Sequence, residues 1–280
     1  MSCVMIILNY NDSQRAWSLA EKCSFFKSVD KIVIVDNCST DDSVDYLSSK
    51  KNDNIDFVFS KQNNGFASGN NIGARYALKK YNPDYLFFAN TDTVFGDSDV
   101  AACLKKISSD KKLGLISMRM LDINKNEEKS AWKFMPFYEY LFLNFWLYRH
   151  FNYDRYTYKV FEKNFQYVDV VRGSYMLFRS EALSTVDFFD EGTFLYYEED
   201  IVSFRLRKAG YKVGILTNHF YIHNHIYSDT QDTSFAKKHM DFSLKYFLQK
   251  YYRIGGVKKK LLNFSTIIGN FEMFFINKIK

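Results

Sequence analysis

Two acidic clusters and one histidine pair carry the chemistry that this sequence offers. In "YLFFANTDTVF" an apolar run stops at Asn90, Thr91 and Asp92 and then resumes, so a carboxamide and a carboxylate stand two residues apart where a buried strand ends. One carboxylate beside a second oxygen donor suits a hard divalent cation, Mg²⁺ or Mn²⁺, that takes its remaining ligands from substrate phosphates. In "LYYEEDIVSFRLRKAGY" the acids Glu198, Glu199 and Asp200 open a helical pattern. A carboxylate there can take the proton of an attacking hydroxyl; the plainer alternative is that the acids complement the positive end of the helix dipole. In "YIHNHIYSD" His223 and His225 stand two apart. On a strand they share a face and can reach a metal or a phosphate, with a histidine satisfied in the core as the alternative.

These residues need a frame that gathers them. Four short runs rich in Val, Ile and Phe, "VMIILNY" (4–10), "KIVIVD" (31–36), "IDFVFS" (55–60) and "YLFFAN" (85–90), read as strands. Between them, 13–26 and 69–81 repeat apolar residues at helical spacing. Alternating strand and helix predicts an α/β fold with a mostly parallel sheet flanked by helices. Ligands of such a sheet bind outside the carboxyl ends of its strands. There the sequence places Asn9, Tyr10, Asn11 and Asp12, then Asp36, Asn37 and Ser39, then Asn90 and Asp92. Each Asp or Asn by itself also serves to turn the chain and cap a helix.

The second half is less regular. Residues 124–166 are expected to form an irregular aromatic insertion with some helix near 137–149, and "YVDVVRGSYMLFRS" reads as a strand pair, or a strand and a bend, around Gly173. A short helix with Gly210 as its stop follows the acids. These features predict one domain over 1–232 and a basic helical tail over 233–280.

Composition narrows the class. With 47% apolar residues in 280 the chain has ample core. Cys3, Cys23, Cys38 and Cys103 lack CxxC spacing, which points to buried thiols in a reducing compartment. The N-terminus shows no basic n-region, and "FYEYLFLNFWLY" is shorter than the ~20 residues of a membrane span, so a cytoplasmic protein is expected. The net charge of +6 concentrates in the tail, where 237–280 hold ten Lys/Arg against two acids. No nucleic-acid reading module accompanies them, so no nucleic-acid partner is expected. Within the tail Leu261, Phe264, Ile268, Phe271 and Phe275 form an amphipathic stripe flanked by lysines. It suits an anionic membrane surface, the protein's own core, or a second subunit in a homodimer.

The stretches "VMIILNYND", "IVIVDNCSTDDSVDYL", "NNGFASGNNIGARYAL", "YLFFANTDTVF", "VVRGSYMLFRSEAL", "FFDEGTFLYYEEDIVSFRLRKAGY" and "YIHNHIYS" follow one another from Met1 to about Asp229. In order and spacing the chain resembles a family 2 inverting glycosyltransferase of the GT-A fold, in the bacterial group with rhamnosyltransferase-like and capsule-polysaccharide enzymes. The resemblance implies that Tyr10 and Asn11 flank the nucleotide base and that Asp36 and Ser39 hold base and ribose. It implies a nucleotide-side loop and helix start at Asn64, Gly65, Phe66, Ala67, Gly69 and Asn70, with Thr91 beside them. Asn90 and Asp92 take the place of the family's metal-binding Asp-x-Asp, His223 contacts the metal or diphosphate, and Arg172, Gly173 and Glu198 face donor sugar and acceptor. Arg172 and Gly173 would lie in an acceptor-side strand.

Two departures stand out. Asn90 replaces an acid, which removes one charge from the metal motif. Counting back from Arg205 selects Glu199 as the base, whereas residue type selects Asp200. The implied substrates are a nucleotide-diphosphate sugar, UDP or dTDP in preference to GDP, and a glycan or lipid-linked acceptor, the latter consistent with peripheral contact at the inner face of the cell membrane. A sugar nucleotidyltransferase would need a glycine-rich phosphate loop after the first strand, and "NYNDSQRAW" has no glycine. A non-enzymatic module binding nucleotide sugar or membrane in a synthase complex is the other alternative.

Overall fold

In the computed structural model, which describes residues 1–152, 154–159, 161–224 and 233–279, strand β1 (Cys3–Asn9) is buried on both faces. Cys3, Met5 and Ile7 enter one apolar core and Val4 and Ile6 another. Such a strand needs cover on both sides. It comes from α1 (Ser13–Cys23), α2 (Ser43–Ser48) and α3 (Phe66–Tyr81), which alternate with β2 (Lys31–Asp36), β3 (Ile55–Phe59) and β4 (Tyr85–Ala89). β1 pairs in parallel with β2 and β4, and β2 with β3. The register sets Asn9 beside Asp36, so distant polar strand ends meet at one edge.

The chain continues through β5 (Thr93–Val94), α4 (Asp97–Ser109), β6 (Leu113–Leu121), β7 (Ala131–Trp132), α5 (Phe137–Phe142) and α6 (Trp146–Asn152). Then come β8 (Phe165–Val168), β9 (Val170–Val171), β10 (Tyr175–Arg179), α7 (Ser180–Thr185), α8 (Glu198–Lys208) and β11 (Lys212–His223). The main sheet has the order β3-β2-β1-β4-β10-β6-β11-β5, with β8 also on β11. It is parallel from β3 to β4, and β10 then enters antiparallel between β4 and β6. Because β10 runs backwards, its first residues lie at the carboxyl end of β4, where Asn90 N–H donates to the Ser174 carbonyl at 3.0 Å.

Arg172 and Gly173 stand in the bend between β9 and β10, not within a strand. The cause is that β9 leaves the main sheet to pair with β7. The 124–166 segment is thereby more ordered than its sequence suggests, with β7, α5 and α6 inside it. Cys3, Cys23 and Cys103 are buried, as expected, and Cys38 is only half-buried.

The C-terminal part forms two helices, α9 (Thr233–Lys250) and α10 (Gly256–Ile279). Leu244, Phe247 and Leu248 of α9 and Leu262 of α10 share a third core with Tyr140 of α5 and Ile201 of α8. On α10 the expected stripe faces away from this core: Leu261, Phe264 and Phe271 are exposed and Ile268 is half-buried, while Leu262, Ser265, Thr266 and Gly269 are buried. The side chain of Phe275, and all of His225, lie outside the described residues. Among the described residues no helix is long and apolar enough to cross a membrane.

Candidate active site

The ends of β1 and β2 build a polar cradle. The buried Asp36 carboxylate accepts from Ser39 Oγ at 2.6 Å, from the Ser39 N–H at 2.9 Å and from Asn9 Nδ2 at 2.7 Å. Ser39 Oγ in turn accepts from the Asn11 N–H at 2.9 Å. Asn11, at φ 55, exchanges bonds with Thr40, so the two loops are tied crosswise. Tyr10 stands exposed beside this cradle with an aromatic face available for stacking.

The 63–66 turn forms the next wall. Asn63 Oδ1 accepts from Asn37 Nδ2 at 2.9 Å and from the Gly65 N–H at 3.0 Å. Gly65 has φ 96, and a Cβ there would lie 2.1 Å from the Phe194 carbonyl oxygen; Phe66 N–H donates to that same carbonyl at 2.9 Å. Only glycine accepts both the angle and the approach. Asn64 is exposed at the tip. Gly69 and Asn70 lie deeper: Gly69 packs against Leu8 and Asn37, and Asn70 donates to the Phe66 carbonyl. Their part is to seat α3, and Asn64 is the residue of this group whose side chain stands exposed beside the cradle.

At the end of β4, Thr91 Oγ1 donates to the Asp12 carboxylate, which joins this corner to the β1 loop. His223, the last residue of β11, brings Nε2 within 3.1 Å of Asp92 Oδ1, and the Asn224 N–H donates to the Asp92 carbonyl at 2.8 Å. Two neighbouring ligands on one ion, each about 2.1 Å away, stand roughly 3 Å apart, so this pair fits a single divalent cation. Among the described residues no group of three or more His, Cys, Asp or Glu gathers for one. An ion here therefore has to complete its shell with other oxygens, such as the Asn90 carboxamide, phosphate or water.

The acids open α8 after two left-handed residues, Tyr196 (φ 73) and Tyr197 (φ 69). Asp200 is buried, and the Trp132 indole N–H donates to its Oδ1 at 3.0 Å. Glu199 faces Gly173: a Cβ on that glycine would lie 3.7 Å from the Glu199 carboxyl. Burial raises all three carboxyls. Glu198 is pushed up to about 8, with the Glu199 charge adding to burial, and Asp200 up to about 7. Glu199 is raised by burial and held back by Arg172 and Lys129. One Glu198 oxygen is buried with no hydrogen-bond partner among the described residues.

One stretch of backbone joins the two chemistries. Gly173 meets Glu199, and Ser174 accepts from Asn90. Ser174 Oγ also bonds the buried Tyr221 hydroxyl at 2.9 Å, which lies in electrostatic reach of Arg172, Glu199 and Asp92. Asp92, His223, Asn90, Gly173 and Glu199 thus line one rim. Trp132 and Lys129 were not anticipated. Lys129 Nζ lies 4.7 Å from the Trp132 ring centre, and Arg172 approaches the same ring. Both residues come from the stretch just before and within β7, which carries no periodic signal.

Comparison with known proteins identifies the family and the fold. Residues 6–186 match the family described as Glycosyl transferase family 2. The chain is 27% identical over 248 residues to the low-salt glycan biosynthesis hexosyltransferase Agl10 of Haloferax volcanii, covering 85% of this chain and 72% of that one. It is 26% identical over 201 residues to rhamnosyltransferase WbbL of Escherichia coli K12, covering 66% and 71%. The fold is similar to that of the mannosyltransferase PcManGT from Pyrobaculum calidifontis, solved in complex with GDP-Man and Mn²⁺, at a TM-score of 0.59 and 15% identity over 94% of this chain and 68% of that one. The likeness is one of GT-A architecture, a central sheet flanked by helices. With the family matched over well more than half of its length, the chain belongs to glycosyl transferase family 2.

Proposed function

We propose that this glycosyltransferase moves a hexose or deoxyhexose such as rhamnose, with inversion, from a nucleotide-diphosphate sugar to a hydroxyl of a glycan or lipid-linked acceptor in cell-surface polysaccharide synthesis. The observation that carries the reading is the shared rim: the Asp92–His223 pair and the Glu199 carboxylate are joined through Gly173 and Ser174. Tyr10 stacks on the base, and the Asp36–Ser39 cradle with Asn11 and Asn64 holds the nucleoside. We favour UDP or dTDP over GDP and place the enzyme in the cytoplasm.

Glu199 is the base on this reading, because Asp200 is engaged by Trp132. The acceptor hydroxyl attacks the anomeric carbon as its proton passes to Glu199, and the bond from that carbon to the diphosphate oxygen breaks. A single displacement inverts the anomeric centre. Glu198 and Arg172 stand beside the sugar and acceptor. Asp92 and His223, with Asn90 nearby, would hold a divalent ion, Mn²⁺ or Mg²⁺, which when bound would supply positive charge against the leaving diphosphate.

A thermal-shift screen of UDP-, dTDP- and GDP-sugars with and without Mn²⁺ tests the donor: a selective, metal-dependent rise in Tm is expected. Absence of any rise with every sugar nucleotide would overturn the donor reading. The anomeric configuration of the product, read by NMR, tests inversion.

A further inference from the structure

α10 packs by its small side. Leu262, Ser265, Thr266 and Gly269 are buried, Asn144 donates to Ser265 Oγ at 3.0 Å, and the Asn144 carbonyl occupies the place where a Cβ on Gly269 would fall. The large apolar residues point the other way: Val257, Leu261, Phe264, Ile267 and Phe271 are between 46 and 72% exposed. A surface helix ordinarily turns its apolar stripe inward, so this one is inverted. α6 is tied to α10 through the Trp146 N–H, which donates to Glu272 at 2.7 Å, and it exposes Trp146, Leu147 and Phe151.

Charge selects among occupants. Lys258, Lys259 and Lys260 are exposed at the start of α10, and the single acid of the helix, Glu272, is engaged by Trp146. A second copy of this surface would bring lysines and no countercharge from α10. An anionic bilayer supplies both an apolar layer and phosphates, and Trp and Phe are suited to its interface. We propose that α6 and α10 seat the protein on an anionic lipid surface, with the apolar face of α10 in the acyl boundary and Lys258–Lys260 against the headgroup phosphates. Leu262 shares its core with Ile201 of α8, so one packed layer joins α10 to the helix that carries the acids.

Cosedimentation with vesicles tests this without any sugar nucleotide, so its outcome is separable from the transferase reading. The full chain is expected to bind phosphatidylcholine vesicles containing phosphatidylglycerol, to release them as salt rises, and to ignore phosphatidylcholine alone. Replacing all three lysines by Gln should weaken binding about a hundredfold, and the pair Phe264→Ser and Phe271→Ser on the order of a hundredfold. Both variants should keep the wild-type thermal transition, since the changed side chains are exposed. Wild-type protein that stays in the supernatant, binding that survives both sets of changes, or a dimer dissolved by the Phe substitutions in place of vesicle binding would overturn the proposal.

Discussion

The Trp132 indole donates a hydrogen bond to Asp200, and this bond sets two adjacent acids in different surroundings. Asp200 is buried and held by a residue from β7, while Glu199 faces Gly173. Glu199→Gln should therefore lower kcat by about 10²–10⁴-fold, the usual contribution of a general base. Trp132→Phe should cost stability, roughly 1.5–3 kcal/mol for a lost bond to a charged group, with a smaller effect on rate. Measured rates that rank Asp200→Asn as the severe change and Glu199→Gln as mild would reverse the assignment.

Asp92 and His223 make a second prediction. Asp92→Ala should abolish both transfer and the Mn²⁺-dependent part of the thermal shift, and His223→Ala should weaken them. Asn90→Asp restores a second carboxylate to the corner and should tighten Mn²⁺ binding by about tenfold, since ligand charge tunes affinity at oxygen sites. Calorimetric titration of Mn²⁺ into the three variants checks the order.

Gly65 should tolerate no side chain. Its φ of 96 and the 2.1 Å approach of the Phe194 carbonyl predict that Gly65→Ala costs about 2–4 kcal/mol. Gly255, which has nothing within 4 Å of a Cβ, is the control, and Gly255→Ala should change stability by less than about 0.5 kcal/mol. Denaturant unfolding of both compares them directly.

The raised carboxyls predict a pH dependence of stability. The Glu198 carboxyl has its ordinary value near 4.5 in the unfolded chain, and burial with the neighbouring Glu199 charge pushes it up to about 8 in the folded protein. Between those limits the folded state holds the extra proton, so stability is full below the lower value and falls as pH rises through the upper one. Asp200, raised to about 7, acts in the same direction. Glu198→Gln should flatten the decline in Tm between about pH 4.5 and 8; an unchanged profile would mean that Glu198 ionises as freely in the fold as outside it.

The strand ends were the legible part of this site. Asn9, Asp36 and Asp92 close apolar runs whose burial on both faces makes them readable, and the parallel order β3-β2-β1-β4 follows from their alternation with helices. Trp132 and Lys129 were not legible: β7 has two residues, too few for any period, and is set by its pairing with β9 and its bridge to Thr157. The direction of α10 was hidden for another reason. A stripe such as Leu261, Phe264 and Phe271 has the same spacing whether it faces a core or solvent, and only the burial of Ser265, Thr266 and Gly269 shows which side docks.

Gly65 also links the polar cradle to the approach of α8. Its turn borders the nucleoside cradle, and it rests on the backbone of Phe194, four residues before Glu198. On the proposed reading, a donor that stiffens this turn would brace the approach to α8, and ordered addition, donor before acceptor, is the expected kinetic outcome.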